Sequence, residues 1–282
     1  MKLSEMKQIL SSGQIQLTKS LGQNFLHDGN QLRRIVDAAQ LTKADRVLEV
    51  GPGLGPLTEL LVAGAGEVLA IEKDGRLVEI LRERANSKFK IQNSKFQLVH
   101  DDALDFIKRE RRDWTGWKLV ANLPYSVASP ILVELAQAGG CPDRIVATLQ
   151  LEVGRRAVAG AGDDDYGVLS LLLQLRYEPE ANFKIPADCF FPVPDVDSAC
   201  VVLVKRAQPL LPKADEAQFE RLVKLSFSQR RKMMLKLLKQ EWPAEKLTAI
   251  FEELNLSPQI RAERVTLEQF VELTKKLFSQ TF

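Results

Sequence analysis

One turn constrains this chain more than any other feature. Glu49-Val50-Gly51-Pro52-Gly53-Leu54-Gly55 closes the short apolar run Arg46 to Val50 and leads into a helical pattern from Pro56 to Ala63. Glycines at three alternate positions leave the backbone bare, and the opening turn of the helix offers N–H groups to a ligand. The same alternation recurs on both sides of this turn. A helical pattern on Leu32, Ile35, Val36 and Ala39 precedes it, and strand patterns follow at Val68 to Ile71, Phe96 to Val99, Lys118 to Ala121 and Ile145 to Leu149. Helices are expected between them, at Gly75 to Ala85 and Val127 to Ala138. Strands alternating with helices predict an α/β fold whose mostly parallel sheet is covered on both faces. Two later strands, Ala181 to Ile185 and Ser198 to Lys205, flank the bend Phe190-Phe191-Pro192-Val193-Pro194 and are expected to join the edge antiparallel.

Beyond Gln208-Pro209-Leu210-Leu211-Pro212 the strand signal stops and helical patterning runs on to Phe282. The expected organisation is a loosely ordered arm over 1–20, an α/β domain over 21–212 and a smaller all-helical domain over 213–282. At 45% apolar and 27% charged residues the chain fits neither a disordered tail nor a disulfide mini-protein. Cys141, Cys189 and Cys200 have no C-x-x-C spacing, and His27 and His100 have no acidic or thiol neighbour at ligand spacing. No metal is expected. No apolar run approaches the ~18–20 residues of a membrane span, and the start lacks the marks of a signal peptide, so a cytoplasmic protein without a membrane partner is expected.

A net charge of +2 does not by itself announce nucleic acid. Its distribution does: Arg221 to Lys239 holds seven basic residues and no acidic one, and one-signed charge repels itself unless phosphates answer it. Arg230, Arg231 and Lys232 are the leading candidates for RNA contact, joined by Arg155 and Arg156 just past the strand Ile145 to Leu149. Lys108 to Arg112 reads as a solvated helix face.

The glycine spacing is not the dinucleotide fingerprint G-x-G-x-x-G; E-x-G-x-G-x-G looks like the S-adenosylmethionine turn, with Gly51 and Gly53 against the cofactor. Glu72, at the end of the next strand, is placed to accept both hydroxyl hydrogens of an adenosyl ribose; the bland alternative is a solvated charge paired with Lys73. Asp102, after the third strand, could accept from the adenine's exocyclic amine, or could cap a helix. Asn122-Leu123-Pro124-Tyr125 ends a further strand. The exocyclic nitrogen of adenine is a poor nucleophile because its lone pair is conjugated with the ring. Acceptors on its two N–H bonds favour the attacking geometry, and Asn122 with the Leu123 carbonyl can supply them. Pro124 fixes the backbone, and Tyr125 can stack on a base that has left its own stack.

These residues together resemble the family of ribosomal RNA adenine dimethyltransferases. Lys19-Ser20-Leu21-Gly22-Gln23-Asn24-Phe25-Leu26 is similar to the family's entry motif, which implies that Asn24, Leu26 and also Asn122 touch the cofactor. Phe190-Phe191-Pro192-Val193-Pro194-Asp195-Val196-Asp197-Ser198 is similar to its F-x-P-P-P-K-V-D-S element, which implies that Phe190 faces the flipped adenine opposite Tyr125. Phe227-Ser228-Gln229-Arg230-Arg231-Lys232 resembles the basic helix junction of the branch that modifies small-subunit RNA. Asp195 stands where a lysine is usual, and Asp101 where the family has Gly.

The resemblance implies a Rossmann-like S-adenosylmethionine-dependent methyltransferase domain followed by a helical RNA-binding domain. It implies dimethylation of N6 on two adjacent adenosines in the 3′-terminal hairpin loop of small-subunit ribosomal RNA, during ribosome biogenesis, by a monomer whose partner is the small subunit. Two alternatives stay open at this point. One is a large-subunit methyltransferase of the macrolide-resistance type; the other is a ribosome-assembly or transcription factor with the same fold and no essential turnover. A nicotinamide dehydrogenase is disfavoured by the glycine spacing.

Overall fold

The computed structural model describes residues 1, 3–12, 24–87 and 95–278. It divides into two compact units, one of 1–154 with 178–205 and one of 155–177 with 206–282. In chain order the elements are α1 (Leu3–Ser12), β1 (Phe25–Leu26), α2 (Gly29–Ala39), β2 (Arg46–Val50), α3 (Pro56–Gly64), β3 (Glu67–Glu72), α4 (Gly75–Ser87), β4 (Phe96–His100), α5 (Ala103–Glu110), β5 (Trp117–Asn122), α6 (Ala128–Gln137) and β6 (Arg144–Gln150). They continue with α7 (Leu151–Val158), α8 (Val168–Gln174), β7 (Tyr177–Ile185), β8 (Phe190–Phe191), β9 (Ser198–Lys205), α9 (Glu216–Ser226), α10 (Met234–Leu238), α11 (Ala244–Glu253) and α12 (Leu267–Phe278).

The first unit carries a seven-stranded sheet in the order β4-β3-β2-β5-β6-β9-β7. From β4 to β6 neighbouring strands are parallel, and β9 adds to β6 antiparallel with Ser198 opposite Gln150. Val47, Leu48 and Val50 of β2 are all buried, as a strand covered on both faces requires. The helices start where the sequence lets them. Asp28 caps α2 by accepting from the Asn30 and Gln31 amides, and Gly55 in a left-handed conformation passes the chain to Pro56 at the first turn of α3. Leu32, Ile35, Leu61, Val120, Val146 and Val202 share one core. Strand order reverses between β2 and β5, so the crevice of an open α/β sheet opens at their carboxyl ends.

The expected loose arm is partly a helix. In α1, Met6 and Leu10, one turn apart, are buried against Phe25, Leu54 and Leu77, and Glu5 pairs with the buried Arg84 at 3.3 Å. Two apolar residues at i, i+4 sufficed once tertiary partners were present; the Ser and Gln content of the segment obscured them in the sequence. The rest of that arm lies outside the described residues.

The second unit is helical, with α9 packed on α10 and α12 around the buried Phe219, Leu222 and Phe270. It begins at Arg206, ahead of the expected boundary at Pro212, and it takes in 155–177. Those residues join it through specific contacts. The Tyr166 hydroxyl donates to the Val265 carbonyl at 3.0 Å, the Tyr166 ring meets Phe227 edge-on, and Arg176 pairs with Glu216. Sequence proximity to the sheet hid this. Among the described residues no helix is long and apolar enough to cross a membrane.

Met6→Ala removes a fully buried side chain and should cost about 2–3 kcal/mol of stability. The measurement is a urea titration, in which the midpoint falls; an unchanged midpoint would mean that α1 contributes nothing to the folded first unit.

Candidate active site at the strand-order reversal

A cavity opens at the carboxyl ends of β2, β3, β4 and β5. Gly51, Gly53, Glu72, Asp102, Asn122 and Tyr125 all line it, together with Asn24, Phe25, Lys73 and Leu123. Its glycine wall is closely packed. Gly51 and Gly53 sit at φ +66° and +59°, and a Cβ would meet Pro124 at 3.2 Å on the first and the Phe25 ring at 2.7 Å on the second.

Glu72 is buried rather than solvated. Its Oε2 accepts from the Gly53 amide at 3.1 Å and its Oε1 from the Asp74 amide at 2.9 Å. Burial raises its pKa, with the Asp74 charge adding to the rise, and the backbone amides of Asp74, Gly53 and Lys73 offset only part of it. Lys73 pairs instead with Asp102, at 2.8 Å. Asp102 fills both roles weighed for it: Oδ1 caps α5, accepting from the Leu104 and Asp105 amides, while the carboxylate lines the cavity. The bond from Lys73 holds its carboxyl below the usual carboxylate range. Asp101 is tied to Arg109 at 2.6 Å.

Asn122 ends β5. Its Nδ2 donates to the Asn24 carbonyl at 3.0 Å, which fixes the amide, and its Oδ1 is buried with no partner. An unpaired buried acceptor costs stability unless something later donates to it. The Leu123 amide donates to Thr148 at 3.1 Å, and the Tyr125 hydroxyl meets the Ser198 hydroxyl at 2.7 Å.

Two expected site residues are elsewhere. Leu26 and Phe190 face each other across the β1–β8 pair, and both are buried in the core with Ile185 and Cys200 rather than lining the cavity. The two-residue alternation of a strand turns their neighbours the other way. Phe25, which sequence reasoning passed over, therefore forms the wall; that alternation within the entry motif was the available signal.

Glu49, the first residue of the turn motif, is also buried, with Oε2 unpartnered. Burial, helped by the nearby Glu72 charge, pushes its carboxyl from 4.5 up to about 8.

In the second unit all seven cations of Arg221 to Lys239 are exposed. Glu241 answers Arg221 at 2.7 Å, Glu220 answers Lys224 at 2.5 Å, and Arg230 donates to the Asp164 carbonyl at 2.9 Å. Arg231, Lys232, Lys236 and Lys239 extend this exposed basic surface. Arg155 and Arg156 are exposed in the last turn of α7. Among the described residues no three His, Cys, Asp or Glu side chains are grouped to hold a metal ion.

A family model described as ribosomal RNA adenine dimethylase matches residues 14–278. A protein of Latilactobacillus sakei named Ribosomal RNA small subunit methyltransferase A is 37% identical over 97% of this chain and 94% of its own. Among solved structures, the 23S rRNA methyltransferase ErmE is 29% identical with a TM-score of 0.69, covering 90% of this chain and 99% of its own. A dimethyladenosine transferase from Plasmodium falciparum shares the fold at a TM-score of 0.75 and 24% identity, over 88% of this chain and 95% of its own.

The Glu49 carboxyl gives a pH dependence with a defined sign. Its folded pKa lies above its unfolded one, so between about 4.5 and about 8 the folded state holds more of the proton and stability falls as pH rises. Urea midpoints measured across this window should decline in the parent, and the decline should flatten in Glu49→Gln. Parallel pH profiles for the two proteins would contradict the assignment.

Proposed function

The chain belongs to the ribosomal RNA adenine dimethylase family, and from that premise we propose how its own residues carry out the reaction. It is an S-adenosylmethionine-dependent enzyme that dimethylates adenine in small-subunit ribosomal RNA. The observation that carries the residue-level reading is the unpartnered, buried Oδ1 of Asn122, a residue that lines the cavity.

The cavity suits the cofactor on two counts: a bare glycine wall and the lining carboxylates of Glu72 and Asp102. Backbone amides of Gly53, Asp74 and Lys73 hold the Glu72 carboxylate in place, and its remaining acceptor capacity is offered to the ribose hydroxyls. Gly51 and Gly53 let the backbone approach closely, Asn24 closes one side, and Asp102 accepts from the cofactor's adenine amine. When bound, S-adenosylmethionine supplies an electrophilic methyl group on a sulfonium, a good leaving group, so N6 can release its proton to water afterwards. Asn122 Oδ1 and the Leu123 carbonyl accept the two N6–H bonds of the target and turn its lone pair outward. Tyr125 offers the stacking face. Phe190, in the core, is left out of this assignment. Positioning and preorganised dipoles supply the acceleration without a strong base.

The substrate read this way is a pair of neighbouring adenosines in the 3′-terminal hairpin loop, met on the small subunit in the cytoplasm. The acting form in this reading is a monomer. The helical unit binds RNA phosphates through Arg231 and Lys232, with Arg230, Arg155 and Arg156 in the same unit. The large-subunit alternative is not favoured: the small-subunit relative is more similar, and over more of the chain, than ErmE.

Asn122→Ala should slow methyl transfer by roughly a hundredfold or more, as the loss of a preorganised acceptor does. Single-turnover methylation of small-subunit RNA measures it, with circular dichroism confirming the fold; a near-parental rate would remove the assignment. Replacing Arg231 and Lys232 together by Gln should reduce the salt slope of RNA affinity by roughly 1.4–1.8. Arg221→Gln, whose charge Glu241 already meets, should leave that slope unchanged. Equal slopes in all three proteins would show that these cations only face solvent.

A further inference from the structure

Stacking does not need the hydroxyl of Tyr125, because a phenylalanine ring presents the same face. The structure gives that hydroxyl a partner all the same. Tyr125 and Ser198 share a hydrogen bond of 2.7 Å, and Ser198 is fully buried at the start of β9, opposite the last residue of β6. The bond therefore reaches from the loop after β5 over β6 to the strand beyond it.

Ser198 is itself a fixed post. Asp197 beside it accepts from the Ala187 amide at 2.9 Å and pairs with Lys184 at 2.7 Å, and the Asp197 carbonyl accepts from the Leu151 amide at 3.0 Å. A ring held only at its Cα can tilt about two torsions. Held also at its far end, it keeps one plane. Burial raises the Tyr125 pKa, so the phenol stays protonated and able to share this bond.

We infer that Ser198 is a positioning residue: through the Tyr125 hydroxyl it fixes the plane on which the target adenine stacks, and the second methyl transfer depends on it more than the first. The inference rests on the reading of Tyr125 as the stacking face. At the first transfer N6 has two N–H bonds, one for Asn122 Oδ1 and one for the Leu123 carbonyl. At the second it has one, and a methyl group takes the place of the other. Orientation then leans more on the ring, so a ring free to tilt costs more.

The test compares Ser198→Ala, Tyr125→Phe, their combination, Ser198→Thr and Tyr125→Ala in single-turnover methylation of small-subunit RNA, with mass resolving monomethyl from dimethyl adenosine. Ser198→Ala and Tyr125→Phe should each slow the second transfer by about threefold to tenfold, the worth of one hydrogen bond. The first transfer should change less, so monomethyladenosine accumulates. The double variant should match either single one, because both remove the same bond. Ser198→Thr keeps a hydroxyl and should restore most of the second transfer. A purely structural role for Ser198 would slow both transfers alike and make the double variant additive, and either result overturns the inference. Should Ser198→Ala fail to fold, Tyr125→Phe alone carries the same expectation, and an unchanged product ratio there is equally fatal. Normal RNA affinity and normal rates for Tyr125→Ala overturn the stacking reading along with it. A defect in Tyr125→Ala with none in the other variants overturns the Ser198 inference only.

Discussion

The close approach of two backbone segments at the strand-order reversal is the constraint on which the site depends. Gly51 lies against Pro124, where a Cβ would be tight, and Gly53 against Phe25, where a Cβ would force a shift. Because both glycines are left-handed, the turn after β2 can bend toward the end of β5 and still deliver Gly55 to the start of α3. The same bend carries the Gly53 amide to Glu72, which holds the ends of β2 and β3 together. Asn122 and Tyr125 stand across from this turn. The glycine turn and the residues proposed to orient the base are in this way parts of one packing arrangement, and a side chain added to the turn would disturb both.

Much of this was legible beforehand, for reasons that differ by element. The parallel strands were readable because strands buried on both faces are nearly continuous apolar runs, as in Val47, Leu48 and Val50. The cavity residues were readable because glycine and proline chemistry marks strand ends. Tertiary partners hid the rest. Helix α1 exists through Met6 and Leu10 docking on Leu54, Leu77 and Phe25, none of which adjoins them in sequence. Phe190 was assigned to the cavity from motif likeness, and the pairing of β8 with β1 decides instead which face it takes. Residues 155–177 follow a sheet strand yet cluster with the helical unit, through bonds to Val265 and Glu216 that no local pattern announces.

Charge is distributed unevenly around the cavity. Glu49 and Glu72 are buried and costly to ionise, Glu49 the more so for the nearby Glu72 charge, whereas Asp102 is half-buried and met by Lys73. In the proposed reading, Glu72 meets the neutral hydroxyl donors and Asp102 the amine. The second unit follows a different rule. Carboxylates just outside the basic run cancel its first two cations, and the charge left over is concentrated from Arg230 onward. Counting residues along the sequence gave the sign of this surface but not which of its members are spent internally.

The small β1–β8 pair bears on how the chain matures during synthesis. Phe25 forms part of the cavity wall, and β1 is held by Phe190 and Phe191, which leave the ribosome long after the glycine turn, Glu72 and Asn122. A nascent chain that has finished five parallel strands still lacks the partner that seats its own beginning. The cavity is thus completed by one of the last pieces of the first unit to be made, and chains truncated before β8 would be enzymes with an open wall.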